Sequence, residues 1–238
     1  IPFAHGGQAW QDATVFEAVA MGIGGNNYYK NCYVDLKESC LRSETTVKVF
    51  DQMRKLQGFT DEGSPGRDWN VATGMVIEGK AGFQIMGDWA KGEFTAAGKV
   101  PGVDYYCAAT PSNNGYLYNV DSFIFYKSSD PDKQAGQKLL AKLMMGKNFQ
   151  KVFNLYKGSI PARLDVSMDE FDKCAKTSNA DIKTAGASGG LVPSFAHGMA
   201  QGNTMKAALQ DIITEHFNSD MSSVDAANAL ADSVLANM

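Results

Sequence analysis

The chain lacks several features that would assign it to a function class directly. No apolar run approaches the roughly 18 residues of a membrane span, so the sequence predicts no transmembrane helix. Its 22 lysines and arginines are outnumbered by 26 acidic residues and are scattered along the chain. This argues against a nucleic-acid partner, because binding a phosphate backbone requires a clustered basic surface. With only three histidines and no C-x-x-C pair, we expect no bound metal and no other cofactor.

Catalytic signatures are also scarce. No Ser/His/Asp set, HExxH motif or Walker loop defines a reaction. Residues 186–190, Gly-Ala-Ser-Gly-Gly, match the G-x-S-x-G pattern of hydrolases, but that mechanism needs a strand before the serine and a helix after it. A polar, helix-like segment precedes Ser188, which favours a flexible loop. We therefore expect no catalytic residue.

What the chain does contain is typical of a globular protein. Its 238 residues are 44% hydrophobic and 20% charged, enough for one large domain or two modest ones. The four cysteines allow three pairings. We favour Cys32 with Cys40, which are close in sequence, and Cys107 with Cys174. Two disulfides imply an oxidising compartment; four buried free thiols in a cytosolic protein are the alternative.

The spacing of apolar residues indicates a helix-rich α/β protein without internal repeats. Capping residues, glycines and helical periodicity predict helices over about 10–21, 43–56, 69–78, 131–144, 149–157, 205–217 and from 222 onwards. Short strands are predicted over residues 1–4, 81–86, 105–110 and 119–126, with a turn at 113–115.

Two of the three tryptophans lie beside aspartate, since Trp69 follows Asp68 and Trp89 follows Asp88. A large apolar ring next to a carboxylate suits a ligand that is apolar on one face and hydroxylated at its edge. Sugars are such ligands. The alternative is a packing role for each tryptophan, with Asp68 capping a helix that starts at Trp69.

The histidines and Lys157 offer further candidates. His197 lies among small residues and could present its imidazole to a ligand, or it could be a satisfied, partly buried residue. For His5, in a turn before Gly6, a ligand role and a turn role are equally supported. His216, on an amphipathic helix, is expected to be structural. Lys157 could donate to a hydroxyl or complement the end of its helix.

Residues 79–94, Gly-Lys-Ala-Gly-Phe-Gln-Ile-Met-Gly-Asp-Trp-Ala-Lys-Gly-Glu-Phe, carry the most specific signature. This segment resembles the glucose/mannose-binding branch of the bacterial extracellular solute-binding proteins (family 1), which serve ABC sugar importers. The likeness extends to residues 1–11, 66–70, 153–163 and 191–198, and so spans essentially the whole chain.

The resemblance implies a periplasmic-binding-protein-like fold, in which two α/β lobes joined by a hinge close on a sugar. In that family the sugar ring stacks on tryptophans and its hydroxyls bind polar side chains. The residues that match these positions here are Trp69, Trp89, Asp88, Lys157 and His197, with Gln8 and Asp121 as less specific matches. The cysteines that match Cys107 and Cys174 form a disulfide in the family, whereas Cys32 and Cys40 resemble a local addition.

Members of the family are longer at the N-terminus than this chain. The resemblance therefore leads us to expect a fragment that contains mostly the helix-rich second lobe. Residues 1–108 and 158–238 would belong to lobe two, and residues 109–157 would return to an incomplete lobe one.

The function implied by the resemblance is that of a periplasmic, non-enzymatic receptor. We expect a monomer that captures a monosaccharide, with glucose first and mannose or galactose as candidates, and delivers it to the membrane permease of an ABC importer. One alternative is a carbohydrate-active enzyme that uses the same aromatic platform. Another is a chemosensory module that binds sugar and docks on a signalling protein.

Overall fold

The computed structural model describes residues 1–112 and 115–238, which form two compact units. Unit 1 comprises residues 1–87, 108–119 and 180–238, and unit 2 comprises residues 88–107 and 120–179. The predicted turn at 113–115 lies partly outside the described residues. The assignment of residues to lobes one and two uses different bounds and stays a prediction.

Helices dominate both units. In chain order they are α1 (Ala9–Tyr29), α2 (Glu38–Leu41), α3 (Glu44–Gln57), α4 (Trp69–Ile77), α5 (Lys91–Ala96), α6 (Pro131–Met144), α7 (Lys147–Lys157), α8 (Lys173–Ala187), α9 (Asn203–Asn218) and α10 (Ser223–Ala236). A π-helical turn, Lys30–Val34, follows α1, and a 3-10 turn, Asp88–Ala90, precedes α5. Strands β1 (Tyr116–Tyr118) and β2 (Leu191–Pro193) pair in parallel, with Leu117 opposite Val192.

Helices α1, α3, α9 and α10 surround the apolar core of unit 1. Phe16 of α1 lies at its centre, with its ring centroid 5.0 Å from that of Phe50 on α3 and 5.8 Å from that of Tyr33. All three side chains are fully buried. Unit 1 is therefore held together mainly by helix-on-helix packing of apolar faces.

Helix boundaries follow the capping signals in the sequence. The side chains of Ser43, Asp130 and Ser222 accept hydrogen bonds from backbone N–H groups at the starts of α3, α6 and α10. At the other end of α7, Gly158 takes a left-handed conformation with φ of 90°, which a side chain would disfavour. These predicted starts and stops are confirmed.

Helix α1 differs from the prediction. We expected it to end near Met21, at the glycines that follow, but the helical segment continues to Tyr29 with one break at Gly25. There φ is 72° and ψ is −176°, a conformation that glycine adopts readily because it has no Cβ. The earlier glycines stay helical, and Gly22 packs where a Cβ would lie 3.0 Å from the carbonyl oxygen of Pro111.

All four predicted strands are wrong, because none of these ranges forms a strand. Residues 1–4 and 81–86 contribute only an isolated bridge between Phe3 and Phe83, and residues 119–126 carry no regular structure. Tyr105 forms only a bridge to Pro101. A strand needs a neighbouring strand to pair its backbone groups, and the part of the chain seen here supplies that only to β1 and β2.

Unit 2 leaves much of its apolar surface exposed. The predicted apolar stripe of α6 forms, but Leu139 is 70% exposed and Leu143 is 61% exposed, while Met144 is buried. Val166, Phe171 and Ala175 form a small buried apolar cluster in unit 2. Within residues 1–112 and 115–238, no helix combines the length and apolar character of a bilayer span.

Candidate functional site

Trp69 begins α4, and the aspartate before it binds a side chain from elsewhere in unit 1. Asp68 occupies the position that precedes the helix, yet its carboxylate does not cap the backbone. Its Oδ1 instead accepts a hydrogen bond from Nε2 of Gln8, at 2.5 Å. The interpretation of Asp68 as a capping side chain is therefore wrong, and two candidate polar groups, Gln8 and Asp68, lie together next to Trp69.

The amide of Gln8 is fixed in one orientation. Its Oε1 accepts from Nε1 of Trp10 at 2.8 Å and from Nε2 of Gln11 at 3.1 Å. Because both bonds require an acceptor, the amide nitrogen must face Asp68. The result is a directed pair in which Gln8 donates and Asp68 accepts.

The first turn of α4 is held by a second amide. Nε2 of Gln84 donates to the carbonyl oxygen of Trp69 at 3.1 Å, and the Gln84 oxygen accepts from the hydroxyl of Thr73 at 2.8 Å. Thr73 also donates to the same Trp69 carbonyl at 3.0 Å. Trp69, which is half-buried, therefore projects from a backbone that is locked to residue 84.

In unit 1, hydrogen bonds link His197 to two buried polar residues, Ser194 and Glu17. Its Nδ1 is 2.8 Å from Oγ of Ser194, which donates to Oε1 of Glu17 at 2.7 Å. Its ring also meets the edge of Trp10, with ring centroids 5.9 Å apart. Since Trp10 also donates to Gln8, it contacts two of the predicted site residues.

Glu17 and Ser194 are site residues that the sequence reasoning missed. Both are almost completely buried, and Glu17 additionally accepts from the hydroxyl of Tyr29 and the backbone N–H of Ala196. One signal was available, because a glutamate in the run Ala13-Thr14-Val15-Phe16-Glu17-Ala18-Val19-Ala20 must either break the apolar face or find buried partners.

This combination of serine, histidine and glutamate differs from a nucleophilic triad. In a triad the serine passes its proton to the histidine, whereas here Ser194 donates to the carboxylate. The other serine with a hydrolase-like context, Ser188, follows α8 and precedes β2. That order is the reverse of the strand–serine–helix arrangement that exposes a nucleophile.

The second set of candidates lies in unit 2, where Asp88 and Trp89 form a 3-10 turn before α5. The end of α7 packs closely on this segment. A Cβ on Gly158 would lie 2.7 Å from the backbone nitrogen of Gly92, and a Cβ on Gly92 would lie 2.9 Å from the carbonyl oxygen of Lys157. Both positions therefore require glycine, and the contact places Lys157 near Asp88.

Burial raises the pKa of the Asp88 carboxyl above its ordinary value. The nearby ammonium groups of Lys91 and Lys157 and the backbone N–H groups of Ile160 and Trp89 act in the opposite direction, because they stabilise the carboxylate. Asp88 is thus a desolvated acceptor that is surrounded by donors.

Lys157 and Asp121 form an ion pair in unit 2. The ammonium group of Lys157 also lies 5.8 Å from the ring centroid of Phe153, one turn earlier in α7. Both predicted site residues are therefore placed together. A neighbouring ion pair was missed: Nζ of Lys91 donates to both carboxylate oxygens of Asp172, at 2.8 and 3.0 Å.

The remaining histidines are core residues. Nε2 of His5 lies 2.6 Å from Oδ1 of Asp12, and both side chains are buried, which supports a structural role for His5. His216 is fully buried against Phe50, as predicted. Burial lowers the pKa of His216 to about 4, with a smaller effect from the positive charge of Arg54.

Both predicted disulfides are confirmed. Cys32 and Cys40 are bonded with their Cα atoms 5.1 Å apart in unit 1, and Cys107 and Cys174 are bonded with their Cα atoms 5.8 Å apart in unit 2. No group of three or more His, Cys, Asp or Glu side chains that could hold a metal ion occurs among the residues described.

Comparisons with known proteins agree on one family. The model of a family described as "Bacterial extracellular solute-binding protein" matches residues 3–184. A Brucella suis protein named "Probable sugar-binding periplasmic protein" is 47% identical over 234 residues, which cover 98% of this chain and 55% of that protein. A Pyrococcus horikoshii protein, named as an ABC transporter extracellular-binding protein, is 32% identical over 90% of this chain and 47% of its own length.

A solved structure supports the fold. A Streptococcus pneumoniae solute-binding protein, in complex with the blood group A-trisaccharide, matches with a TM-score of 0.66 and 18% sequence identity. The match covers 100% of this chain and 59% of that one. This likeness confirms the expected periplasmic-binding-protein-like α/β fold.

The chain spans about half the length of these two curated relatives, 55% and 47% respectively. The relatives are named for binding and not for catalysis, and the Brucella name places that protein in the periplasm. Both points agree with the predicted non-enzymatic role and the predicted location. By its family match and its identity to these relatives, the chain belongs to the bacterial extracellular solute-binding proteins.

Proposed function

We propose that the chain is the sugar-binding part of a periplasmic receptor for an ABC importer, and that its ligand is a glucose-like hexose. Mannose and galactose are the other monosaccharide candidates. The receptor acts as a monomer and presents its sugar to a membrane permease. The names of the Brucella and Pyrococcus relatives support the sugar and the importer respectively.

The observation that carries the proposal is the hydrogen bond between Gln8 and Asp68 beside Trp69. A carboxylate that caps no helix and an amide held in one orientation offer an acceptor and a donor for hydroxyl groups. Within the described part of the chain, the second N–H of the Gln8 amide has no partner. The adjacent indole offers the apolar surface on which a sugar ring stacks.

The other proposed contact residues also carry groups that can bind a sugar. In unit 1, His197 provides an imidazole on a fixed support. In unit 2, Asp88 provides a desolvated carboxylate, the Lys157–Asp121 pair provides a donor and an acceptor, and Trp89 provides a second aromatic surface. A charged group with limited access to water, such as Asp88, forms stronger hydrogen bonds than an exposed one, which suits recognition of neutral hydroxyls.

Tryptophan fluorescence provides the test, because the chain has only three tryptophans. The 238-residue chain is titrated with glucose, mannose, galactose and a disaccharide, and the titrations are repeated for Trp69→Ala and Trp89→Ala. We expect saturable hexose binding that weakens at least about tenfold in each variant, because truncating an aromatic contact at a binding site commonly costs more than 1 kcal/mol.

A matched control is Phe59→Ala, which removes a half-exposed aromatic ring of unit 1 outside the proposed site. The affinity of this variant for hexoses should equal that of the unchanged chain. Saturable binding that survives both tryptophan changes without loss would contradict the stacking assignment. Product formation from the disaccharide would instead favour a carbohydrate-active enzyme, since a receptor releases its sugar unchanged.

A further inference from the structure

The ion pair of Lys91 and Asp172 in unit 2 joins the segment that carries Trp89 to the start of α8. Lys91 is the first residue of α5 and lies two residues after Trp89. Its ammonium group donates to Oδ1 of Asp172 at 3.0 Å and to Oδ2 at 2.8 Å. The Lys91 side chain is only 9% exposed, so solvent screens this pair less than it screens a surface pair.

Asp172 is held in place from its own side as well. Its Oδ1 accepts a hydrogen bond from the backbone N–H of Ala175, in the first turn of α8, at 2.8 Å. Two residues after Asp172, Cys174 forms the disulfide with Cys107. The carboxylate that binds Lys91 therefore belongs to a helix start that is covalently linked to residue 107.

The segment before Cys107 contacts α5 a second time. Tyr105 stacks on Phe94 of α5, with the ring centroids 4.1 Å apart and an angle of 26° between the rings. Burial raises the pKa of Tyr105 to about 12, and the negative charge of the nearby Asp172 adds to this effect. The contacts thus form a closed ring, which leaves α5 at Lys91 and returns to it at Phe94.

The backbone between Trp89 and Lys91 passes this constraint to the tryptophan. The 3-10 turn Asp88–Ala90 leads directly into α5, and Ala90 has helical dihedral angles, with φ of −59° and ψ of −24°. The turn and the helix are therefore continuous. Whatever fixes the first residue of α5 also restricts the position of Trp89.

We propose that Lys91 and Asp172 are positioning residues, which hold the turn that carries Trp89 in the geometry that binds a sugar. The Cys107–Cys174 disulfide supports them by fixing the start of α8. The role in sugar recognition rests on the proposed function. Neither side chain of the ion pair needs to contact the ligand, because the pair acts through the backbone of α5.

Four substitutions separate the ion pair from general packing. Lys91→Met and Asp172→Asn each remove the pair, from opposite partners. Lys91→Arg should preserve it, because a guanidinium group can donate to both carboxylate oxygens. Lys151→Met is the matched control, since it breaks the ion pair of Lys151 with Glu170 in the same unit and leaves α5 untouched.

Nitrogen–proton NMR of the indole N–H groups reports the environment of Trp89 without a ligand, and only three tryptophans have to be assigned. In Lys91→Met and Asp172→Asn the Trp89 signal should shift and broaden, while those of Trp10 and Trp69 in unit 1 should not change. Lys91→Arg and Lys151→Met should retain the original signal. A general loss of structure would alter all three signals, so a selective change distinguishes positioning from a purely stabilising role.

Glucose titration of the same variants measures the effect on recognition. We expect about tenfold weaker binding in Lys91→Met and Asp172→Asn, because a contact group that leaves its binding geometry loses much of its contribution. Binding by Lys151→Met should be unchanged, and Lys91→Arg should retain most of the affinity.

Three results would overturn the proposal. They are an unaltered Trp89 signal in both Lys91→Met and Asp172→Asn, an unaltered glucose affinity in both, and an equal change in Lys91→Arg, which keeps the ion pair. A selective change of the Trp89 signal in a protein that binds no hexose would support the positioning role and refute the sugar-binding function.

Discussion

In unit 1 the apolar side chains of α3 are buried, whereas in unit 2 those of α6 are largely exposed. Val49, Phe50 and Met53 of α3 face α1, α9 and α10 and are completely buried. Leu139 and Leu143 of α6 have the same helical spacing but remain in contact with solvent. Periodicity therefore shows which face of a helix is apolar, and the elements packed on that face decide whether it is buried.

The two units also use their polar groups differently. In unit 1 some buried polar residues form hydrogen-bonded networks, such as Glu17 with Ser194 and Tyr29. In unit 2 Lys157 pairs near the surface with Asp121, which is exposed. A closed, desolvated network holds a side chain in one geometry, whereas an exposed ion pair contributes little to stability.

The largest expected difference between the units comes from truncating one phenylalanine in each. Phe16→Ala in the core of unit 1 should destabilise the chain by about 3–5 kcal/mol, because it removes a fully buried ring and leaves a cavity. Phe123→Ala in unit 2 should cost less than about 1 kcal/mol, since that ring is already 59% exposed. Urea denaturation followed by circular dichroism measures both, and equal losses would contradict the contrast in packing.

For the disulfides we expect the larger loss of stability in unit 2, because the disulfide that closes the longer loop lies there. Replacing Cys107 and Cys174 by alanine removes a crosslink across 67 residues, for which chain entropy predicts about 4 kcal/mol of lost stability. The corresponding change at Cys32 and Cys40 opens a loop of 8 residues and should cost about 2.5 kcal/mol. Denaturation of the two double variants under oxidising conditions compares them, and a larger loss from the shorter loop would show that loop entropy is not the main effect.

A smaller effect should appear in unit 1 at acidic pH. The pKa of His216 is lowered to about 4 in the folded chain, chiefly by burial and also by Arg54, while Asp51 raises it. Because the unfolded chain binds this proton more readily, stability should fall by up to about 3 kcal/mol as the pH drops from about 6.5 to about 4. Within the described residues neither ring nitrogen of His216 has a hydrogen-bond partner.

The matched variant for this prediction is His216→Phe, which keeps an aromatic ring against Phe50 but cannot bind a proton. Its stability at neutral pH should equal or exceed that of the unchanged chain, because no hydrogen bond is lost. Its pH dependence between 6.5 and 4 should be correspondingly smaller in thermal denaturation. An unchanged pH profile would assign the acid sensitivity to groups other than His216.

Local signals accounted for most of what could be predicted about the fold. The helix starts at Ser43, Asp130 and Ser222 depend on contacts within three residues, and the left-handed glycine at 158 depends on its own backbone. The strands failed for the complementary reason. Residues 119–126 have suitable side chains, but a strand also needs a distant segment to pair with, which no local pattern reveals.

The same division applies to the candidate site. Trp69, Trp89 and their neighbouring aspartates were visible as local oddities of composition, and His197 and Lys157 were candidates from their local context. The resemblance to a family added Gln8 and Asp121. Sequence alone could not place Glu17 with Ser194, which are separated by 177 residues, or show that Asp68 binds Gln8 and leaves its helix uncapped.

The amino-acid sequence by itself thus predicted most of the longer helices and the family resemblance, because these depend on neighbouring residues or on residue identities, and it favoured the two disulfide pairings that the structure contains. Only the tertiary structure decided which apolar faces are buried and which polar groups meet. Burial and hydrogen bonding between distant residues depend on the packing of the whole chain, and they decide whether a carboxylate such as Glu17 is a solvated charge or the support of a histidine.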